Sequence, residues 1–129
     1  MMSKMRKALL NCQMTDAVMI EEGIEVRQSY CLPADFIGFS GHFPGHPIVP
    51  AVVQIFMAQL LAEQHLPPVA VISCVERSKF HRQLKPNDII DVRCKRKQVR
   101  GKTVIDARLE VDEELVASFW LVIDVGVVA

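Results

Sequence analysis

The segment from Ala51 to Gln64 constrains the fold most, because it is almost wholly apolar and contains neither glycine nor proline. Pro50 precedes it, and a proline suits the first turn of a helix, where its missing N–H costs no hydrogen bond. The pair Pro67-Pro68 follows the segment and predicts the end of the helix. A helix that is apolar on nearly all sides is a buried helix, and the polar exceptions here are Gln54, Gln59, Glu63 and Gln64.

Strand patterns lie on both sides of this helix. Residues 24–27 alternate between apolar and polar before it, and further strand-like segments follow it. Turns are predicted at Arg100-Gly101-Lys102 and at Asp112-Glu113, so we expect about four later strands in an antiparallel meander. The segments after the helix are Val69 to Val75, Ile90 to Lys95, Ile105 to Val111 and Leu115 to Ile123.

One helix against an antiparallel sheet is an α+β fold. The apolar helix needs cover on nearly every side, and a sheet curled around it would supply most of that cover. A second subunit could supply the rest. Residues 1–20 fit either a short helix or an edge strand. Because 129 residues suit one domain, we expect a single domain over residues 1–129.

Composition argues against several classes of function. Lys plus Arg and Asp plus Glu each number 15, whereas a general nucleic-acid binder carries a basic excess. No apolar run approaches the roughly 18 residues of a membrane helix, so we expect no membrane insertion and a cytoplasmic location. Cys12, Cys31, Cys74 and Cys94 form no C-x-x-C pair, so we expect reduced thiols and no bound metal.

The loop before the helix contains the residues with the clearest chemical potential. Residues 38–50 include three glycines and three prolines, which exclude regular structure and hold His42 just ahead of the helix. A helix start offers free N–H groups and a partial positive charge, which stabilise negative charge developing on a carbonyl oxygen. A histidine beside them is a plausible general base for a proton alpha to that carbonyl. The alternative is a histidine with a surface or structural role.

Two motifs resemble those of the β-hydroxyacyl-acyl-carrier-protein dehydratases of the hotdog superfamily. The first is Gly41-His42-Phe43-Pro44-Gly45-His46-Pro47-Ile48-Val49-Pro50, followed by the helix. The second, residues 79–88 with the sequence KFHRQLKPND, resembles the family's K/R-F-x-R-x-x-x-P-G-D turn between strands. The resemblance extends from about Ile24 to Ile123. Val52-Val53-Gln54 further resembles a dehydratase-like branch linked to aryl polyene synthesis.

The resemblance implies a hotdog fold, in which a curved antiparallel sheet wraps one long buried helix. It implies a homodimer, which could assemble further into a hexamer or pair with a homologue, and it implies no cofactor. In the family, the active site lies at the dimer interface and uses a histidine of one subunit, which His42 matches, and a helix Asp or Glu of the other. Acyl carrier protein or a CoA thioester is the implied partner. The implied substrate-binding residues are Phe43, Gly45, Ala51, Val52 and Phe56.

The chain departs from the family at the helix. Phe56 stands fourteen residues after His42, where the family has its carboxylate, and Ala51 replaces the family's glycine. Dehydration needs an acid for the departing hydroxyl, and such assistance gives about 10²–10⁴-fold. Glu63 lies seven residues further on, about 10 Å away along the helix and too far to serve directly. The other conceivable acids are His46 and His42 acting through a water; alternatively, Phe56 packs at the floor of an acyl tunnel.

Three functions are compatible with these residues. The first is a dehydratase acting on a 3-hydroxyacyl thioester, and the second is a non-catalytic thioester-binding or accessory subunit. The third is a hotdog thioesterase in which His42 or Glu63 orients a water. A basic region would steer an acidic carrier protein, although its members could equally be ordinary outward-facing residues. They are Arg77, Lys79, Arg82, Lys85, Arg93, Lys95, Arg96 and Lys97.

Overall fold

The computed structural model describes residues 3–39, 47–67 and 71–124, and within them a six-stranded antiparallel sheet packs on one long helix. This is the hotdog arrangement that the resemblance implies. Helices α1 and α2 comprise Lys4–Leu10 and Ala51–His65, and a 3-10 turn spans Ile37–Phe39. The strands are β1 (Val18–Glu21), β2 (Glu25–Cys31), β3 (Val71–Phe80), β4 (Ile89–Val99), β5 (Lys102–Val111) and β6 (Glu114–Asp124).

The strand order is β1-β2-β4-β5-β6-β3. Strands β4, β5 and β6 form the expected meander, but β3 pairs with β6 at the edge of the sheet and not with β4. The prediction of a four-strand meander is therefore wrong for β3. The segment 81–88 between β3 and β4 has no regular structure and is long enough to cross beside the start of α2, so the two consecutive strands do not need to be neighbours.

The core lies between α2 and the inner face of the sheet. Burial alternates along β2 and β4, as expected for strands with one face on the core. Met57, Leu60 and Leu61 of α2 are almost fully buried. The Cys94 thiol of β4 donates to the carbonyl of Ala58 over 3.4 Å and so joins sheet to helix.

Both predicted turns are two-residue hairpin connections. Arg100 and Gly101 have φ of 51° and 80°, and Asp112 and Glu113 have φ of 51° and 66°. Positive φ at both central positions is the backbone of a type I′ turn, whose twist matches that of the strands. The N-terminal alternatives are both realised: Ser3 caps the short helix α1, and β1 forms an edge strand beside β2.

Candidate active site

Among the described residues, the first two backbone N–H groups of helix α2 have no hydrogen-bond acceptor. Pro50 has extended backbone angles, with φ −61° and ψ 151°, and makes no side-chain cap bond. The first turn then closes on its carbonyl, which accepts from the N–H groups of Val53 and Gln54. Within the described part of the chain, the N–H groups of Ala51 and Val52 find no acceptor, and both residues are exposed. This helix start can therefore bind a carbonyl oxygen.

The two motifs lie next to each other in space. The Val49 N–H donates to the Leu84 carbonyl over 2.8 Å, which joins the segment before α2 to the segment after β3. A cleft of about 290 Å³ lies along this junction. Its lining residues come from both motifs and from the first turn of α2, and comprise Ile48, Val49, Pro50, Ala51, Gln54, Phe80, His81, Arg82 and Gln83.

The second motif ends in a tight turn at Lys85-Pro86-Asn87-Asp88. Asn87 has φ 68°, and the Asp88 N–H donates to the Lys85 carbonyl over 3.2 Å. Proline followed by a residue of positive φ is the pattern of a type II turn, where asparagine can replace glycine. Asn87 therefore fits the position at which the family pattern has glycine. The Asp88 carboxylate accepts from the Lys85 N–H over 2.9 Å and closes the turn further.

Gln54 is a polar residue of the site to which the motif comparison assigned no role. Its side chain is only 4% exposed, and its Nε2 donates to the Val49 carbonyl over 3.1 Å. Its Oε1 is buried and has no hydrogen-bond partner among the described residues. The residue type alone could have pointed to Gln54 in the sequence, because a glutamine on the buried face of an apolar helix requires hydrogen-bond partners.

Phe56 lies beneath an arginine of the N-terminal helix. The guanidinium carbon of Arg6 is 5.5 Å from the centroid of the half-buried Phe56 ring. The same guanidinium donates to Glu63 Oε2 over 2.6 Å, and Gln59 Nε2 donates to Glu63 Oε1 over 2.9 Å. Both carboxylate oxygens of Glu63 are thus engaged, which leaves this residue poorly placed as a free proton donor.

The predicted site residues are only partly described. Ala51 and Val52 lie at the start of α2, and Phe56 and Glu63 follow on the helix that they begin. The predictions for His42, Phe43, Gly45 and His46 fall outside the described residues.

Several titratable groups are buried in the core rather than placed in the cleft. Burial raises the pKa of Tyr30 to about 12 and raises the pKa of the thiols of Cys12 and Cys94 above the ordinary range. These thiols stay protonated at neutral pH and are poor nucleophiles. In the described ranges, no group of three His, Cys, Asp or Glu side chains could hold a metal, and no helix is long and apolar enough to cross a membrane.

Comparison with known proteins identifies related dehydratases. The family model for ApeI-like proteins, which is described as ApeI dehydratase, matches residues 19–119. The 3-hydroxyacyl-acyl-carrier-protein dehydratase FabZ of Desulforamulus reducens is 32% identical over 117 residues, which are 83% of this chain and 81% of that protein. The FabZ of Fusobacterium nucleatum is 40% identical over 97 residues, which are 66% of each chain.

A solved structure agrees with the fold. The ApeI:P dehydratase heterocomplex from Xenorhabdus doucetiae contains a chain that superposes with a TM-score of 0.70 at 21% identity. The match covers 85% of this chain and all of that one. At this identity the likeness shows the hotdog fold alone, whereas the family model and the FabZ relatives carry the family assignment.

Proposed function

Because the chain belongs to the ApeI-like family of dehydratases, we propose that it eliminates water from a 3-hydroxyacyl thioester carried by acyl carrier protein or coenzyme A. The observation that carries this proposal is the meeting of the two motifs at the start of α2. The Val49–Leu84 hydrogen bond holds them together, and Ala51, whose N–H has no acceptor among the described residues, lines the resulting cleft.

In the proposed reaction, His42 removes the proton alpha to the thioester carbonyl. The N–H groups at the start of α2 bind the carbonyl oxygen as negative charge develops on it. The electron pair of the broken C–H bond forms the double bond, and the bond from C3 to the hydroxyl oxygen breaks. The hydroxyl takes up a proton and leaves as water. Phe43 and Gly45 would line the acyl path, with Phe56 at its apolar floor.

The proton for the departing hydroxyl requires a donor other than Phe56. We propose His42 itself, which gains a proton in the first step and can return it through one water. His46 is the second candidate donor. Glu63 is the least suited of the three, since its carboxylate is held by Arg6 at 2.6 Å.

The test is turnover of 3-hydroxyacyl and enoyl thioesters of several chain lengths, followed by enoyl absorbance and product mass. His42→Ala should abolish interconversion. His65→Ala, at the end of α2, is the matched control and should leave the rate within about twofold, as expected of a change outside the site. If the wild-type chain converts none of these thioesters, the proposed activity is wrong.

Phe56 supports a second candidate, a thioester-binding or accessory subunit that works beside a catalytic homologue. The ApeI chain of Xenorhabdus doucetiae occurs in a dehydratase heterocomplex, and this chain lacks a carboxylate at the usual helix position. Such a subunit would bind a thioester without converting it, and would raise the rate of an added homologue. Turnover by the purified chain that disappears in His42→Ala would exclude this role.

We also propose that β3 pairs with a second hotdog chain. Among the described strands, β3 pairs with β6 alone, so its other edge is open. Val75 and Phe80 on this strand are 37% and 42% exposed, and an open apolar edge favours pairing with another strand. Sedimentation equilibrium should give a dimer or a multiple of one. Val75→Lys should shift the protein towards the monomer, whereas Ile20→Lys on the opposite edge strand should not.

A further inference from the structure

A stacked arginine and tryptophan lie on the outer face of the sheet, opposite α2. Trp120 is half-buried, while its neighbours Phe119 and Leu121 point into the core. Arg77 lies where the register of β3 shifts between Glu76 and Lys79, and its φ is 52°. This bulge places the Arg77 guanidinium 4.5 Å from the centroid of the Trp120 ring. Left-handed backbone at an arginine is strained, and strain retained at an exposed position suggests a functional constraint.

A cleft lies on each side of this stack, and in both clefts the cationic side chains outnumber the acidic ones. The first, of about 410 Å³, has Lys79, Lys97 and Arg108 beside Arg77. The second, of about 420 Å³, adds Arg100 and Lys102.

Few acids offset this charge. In the first cleft the acidic residue is Asp106, which pairs with Lys97 at 2.7 Å. In the second cleft it is Glu76, which lies 4.0 Å from Lys102. The two clefts therefore hold six cationic side chains against two acidic ones. The whole chain has no net charge, so this excess is a local property of the outer face.

We propose that this face docks an acidic protein surface, with the Arg77–Trp120 stack at its centre. Arginine and tryptophan are the side chains that most often dominate binding energy in protein interfaces. A cationic face also speeds encounter with an acidic partner. The partner is the acidic carrier protein that bears the thioester, and this assignment of the partner rests on the proposed function.

The test is a binding titration of the full-length protein with a fluorescently labelled, acidic acyl carrier protein, at low and at high salt. Arg77→Glu should weaken binding by at least about tenfold, as for a central charged residue of an interface. Arg77→Gly is the fold-preserving variant, because glycine removes the guanidinium and also suits φ 52°. It should weaken binding by about three- to tenfold. Lys4→Glu makes the same change of charge at an exposed residue of α1 and should bind as wild type.

Turnover separates the docking face from the active site. Arg77→Glu should lower kcat/KM for the carrier-bound substrate and leave kcat/KM for a small N-acetylcysteamine thioester unchanged. Equal loss on both substrates, or unchanged carrier binding in both Arg77 variants, would overturn the docking proposal.

Failure of docking and failure of the proposed function give different results. If the wild-type chain converts the small thioester but does not bind the carrier, the proposed activity stands and the docking proposal is wrong. If the chain binds the carrier through Arg77 but converts neither substrate, the docking proposal stands and the proposed dehydratase activity is wrong.

Discussion

The guanidinium of Arg6 stacks over the Phe56 ring at 5.5 Å from its centroid. The resemblance places the family's carboxylate at position 56, and in this chain a cation from α1 lies over the Phe56 ring. An arginine keeps its proton throughout the physiological range and cannot serve as a general acid. Glu63 fixes Arg6 there through a 2.6 Å ion pair in which both side chains are about one quarter exposed, at 28% and 24%. The contact joins the N-terminal helix to α2.

The first prediction concerns the stability of this contact. Arg6→Ala removes an ion pair and a cation–π contact, so we expect the free energy of unfolding to fall by about 1 kcal/mol. Urea denaturation measures it, with exposed Lys7→Ala as the control on the same helix. In a double-mutant cycle with Glu63→Gln, the two effects should not add. Additive losses would mean that the ion pair does not couple the helices.

The second prediction restores a carboxylate at position 56. In Phe56→Glu, the nearby Arg6 should lower the pKa of the new carboxyl, because an opposite charge favours the ionised form. The variant should therefore be a weak acid catalyst at neutral pH, and its rate relative to the wild-type chain should rise as the pH falls. Adding Arg6→Ala should move that gain towards neutral pH, measured as the pH–rate profile. Phe56→Gln, which cannot titrate, should give no such gain, and an unshifted profile in the double variant would contradict the role of Arg6.

The third prediction is a loss of stability at alkaline pH. Burial raises the pKa of Tyr30 to about 12 in the folded chain, whereas an unfolded tyrosine ionises near pH 10. Between these values the unfolded chain releases the proton and the folded chain keeps it, so the free energy of unfolding decreases as pH rises. For this group the full loss is about 2–3 kcal/mol. The raised pKa values of Cys12 and Cys94 act in the same direction.

The ionisation of Tyr30 can be followed directly by absorbance, because it is the only tyrosine of the chain. Tyrosinate absorbance should appear well above pH 10 in the folded protein and near pH 10 in urea. Tyr30→Phe removes the hydroxyl that accepts from Gln13 Nε2 over 3.1 Å. It should reduce the slope of stability against pH above 10. An unchanged slope would mean that Tyr30 does not carry the effect.

The fourth prediction is a stabilising substitution in the turn between β5 and β6. Glu113 has φ 66°, a conformation that glycine adopts without the cost of about 1–2 kcal/mol imposed by a β-carbon. Glu113→Gly should therefore raise the thermal midpoint, with a net gain of about 0.5–1 kcal/mol after the extra freedom of the unfolded chain. Glu114→Gly, one residue later in β6, should instead lower the midpoint. A fall in both variants would argue against the left-handed turn.

Local patterns in the sequence determined much of the fold. The apolar segment between prolines specified α2, and alternation specified the strands, because both depend on periods that one chain segment contains by itself. The turns at Arg100-Gly101 and Asp112-Glu113 could also be predicted, because turn residues between two strand patterns lie within one short segment of the chain. The motif residues before α2 and after β3 also sufficed to indicate a hotdog dehydratase, since they carry the family's turn and loop chemistry.

Tertiary structure alone decided which distant segments meet. No periodicity places β3 beside β6, because strand order depends on a crossing connection and not on the strand sequence. The burial of Gln54 beside Val49, and the placing of Arg6 on Phe56 and of Arg77 on Trp120, likewise follow from packing across long sequence separations. The sequence thus determined the helices and strands and indicated the dehydratase family. The fold determined which side chains share a surface, since those contacts form only when the sheet closes around the helix.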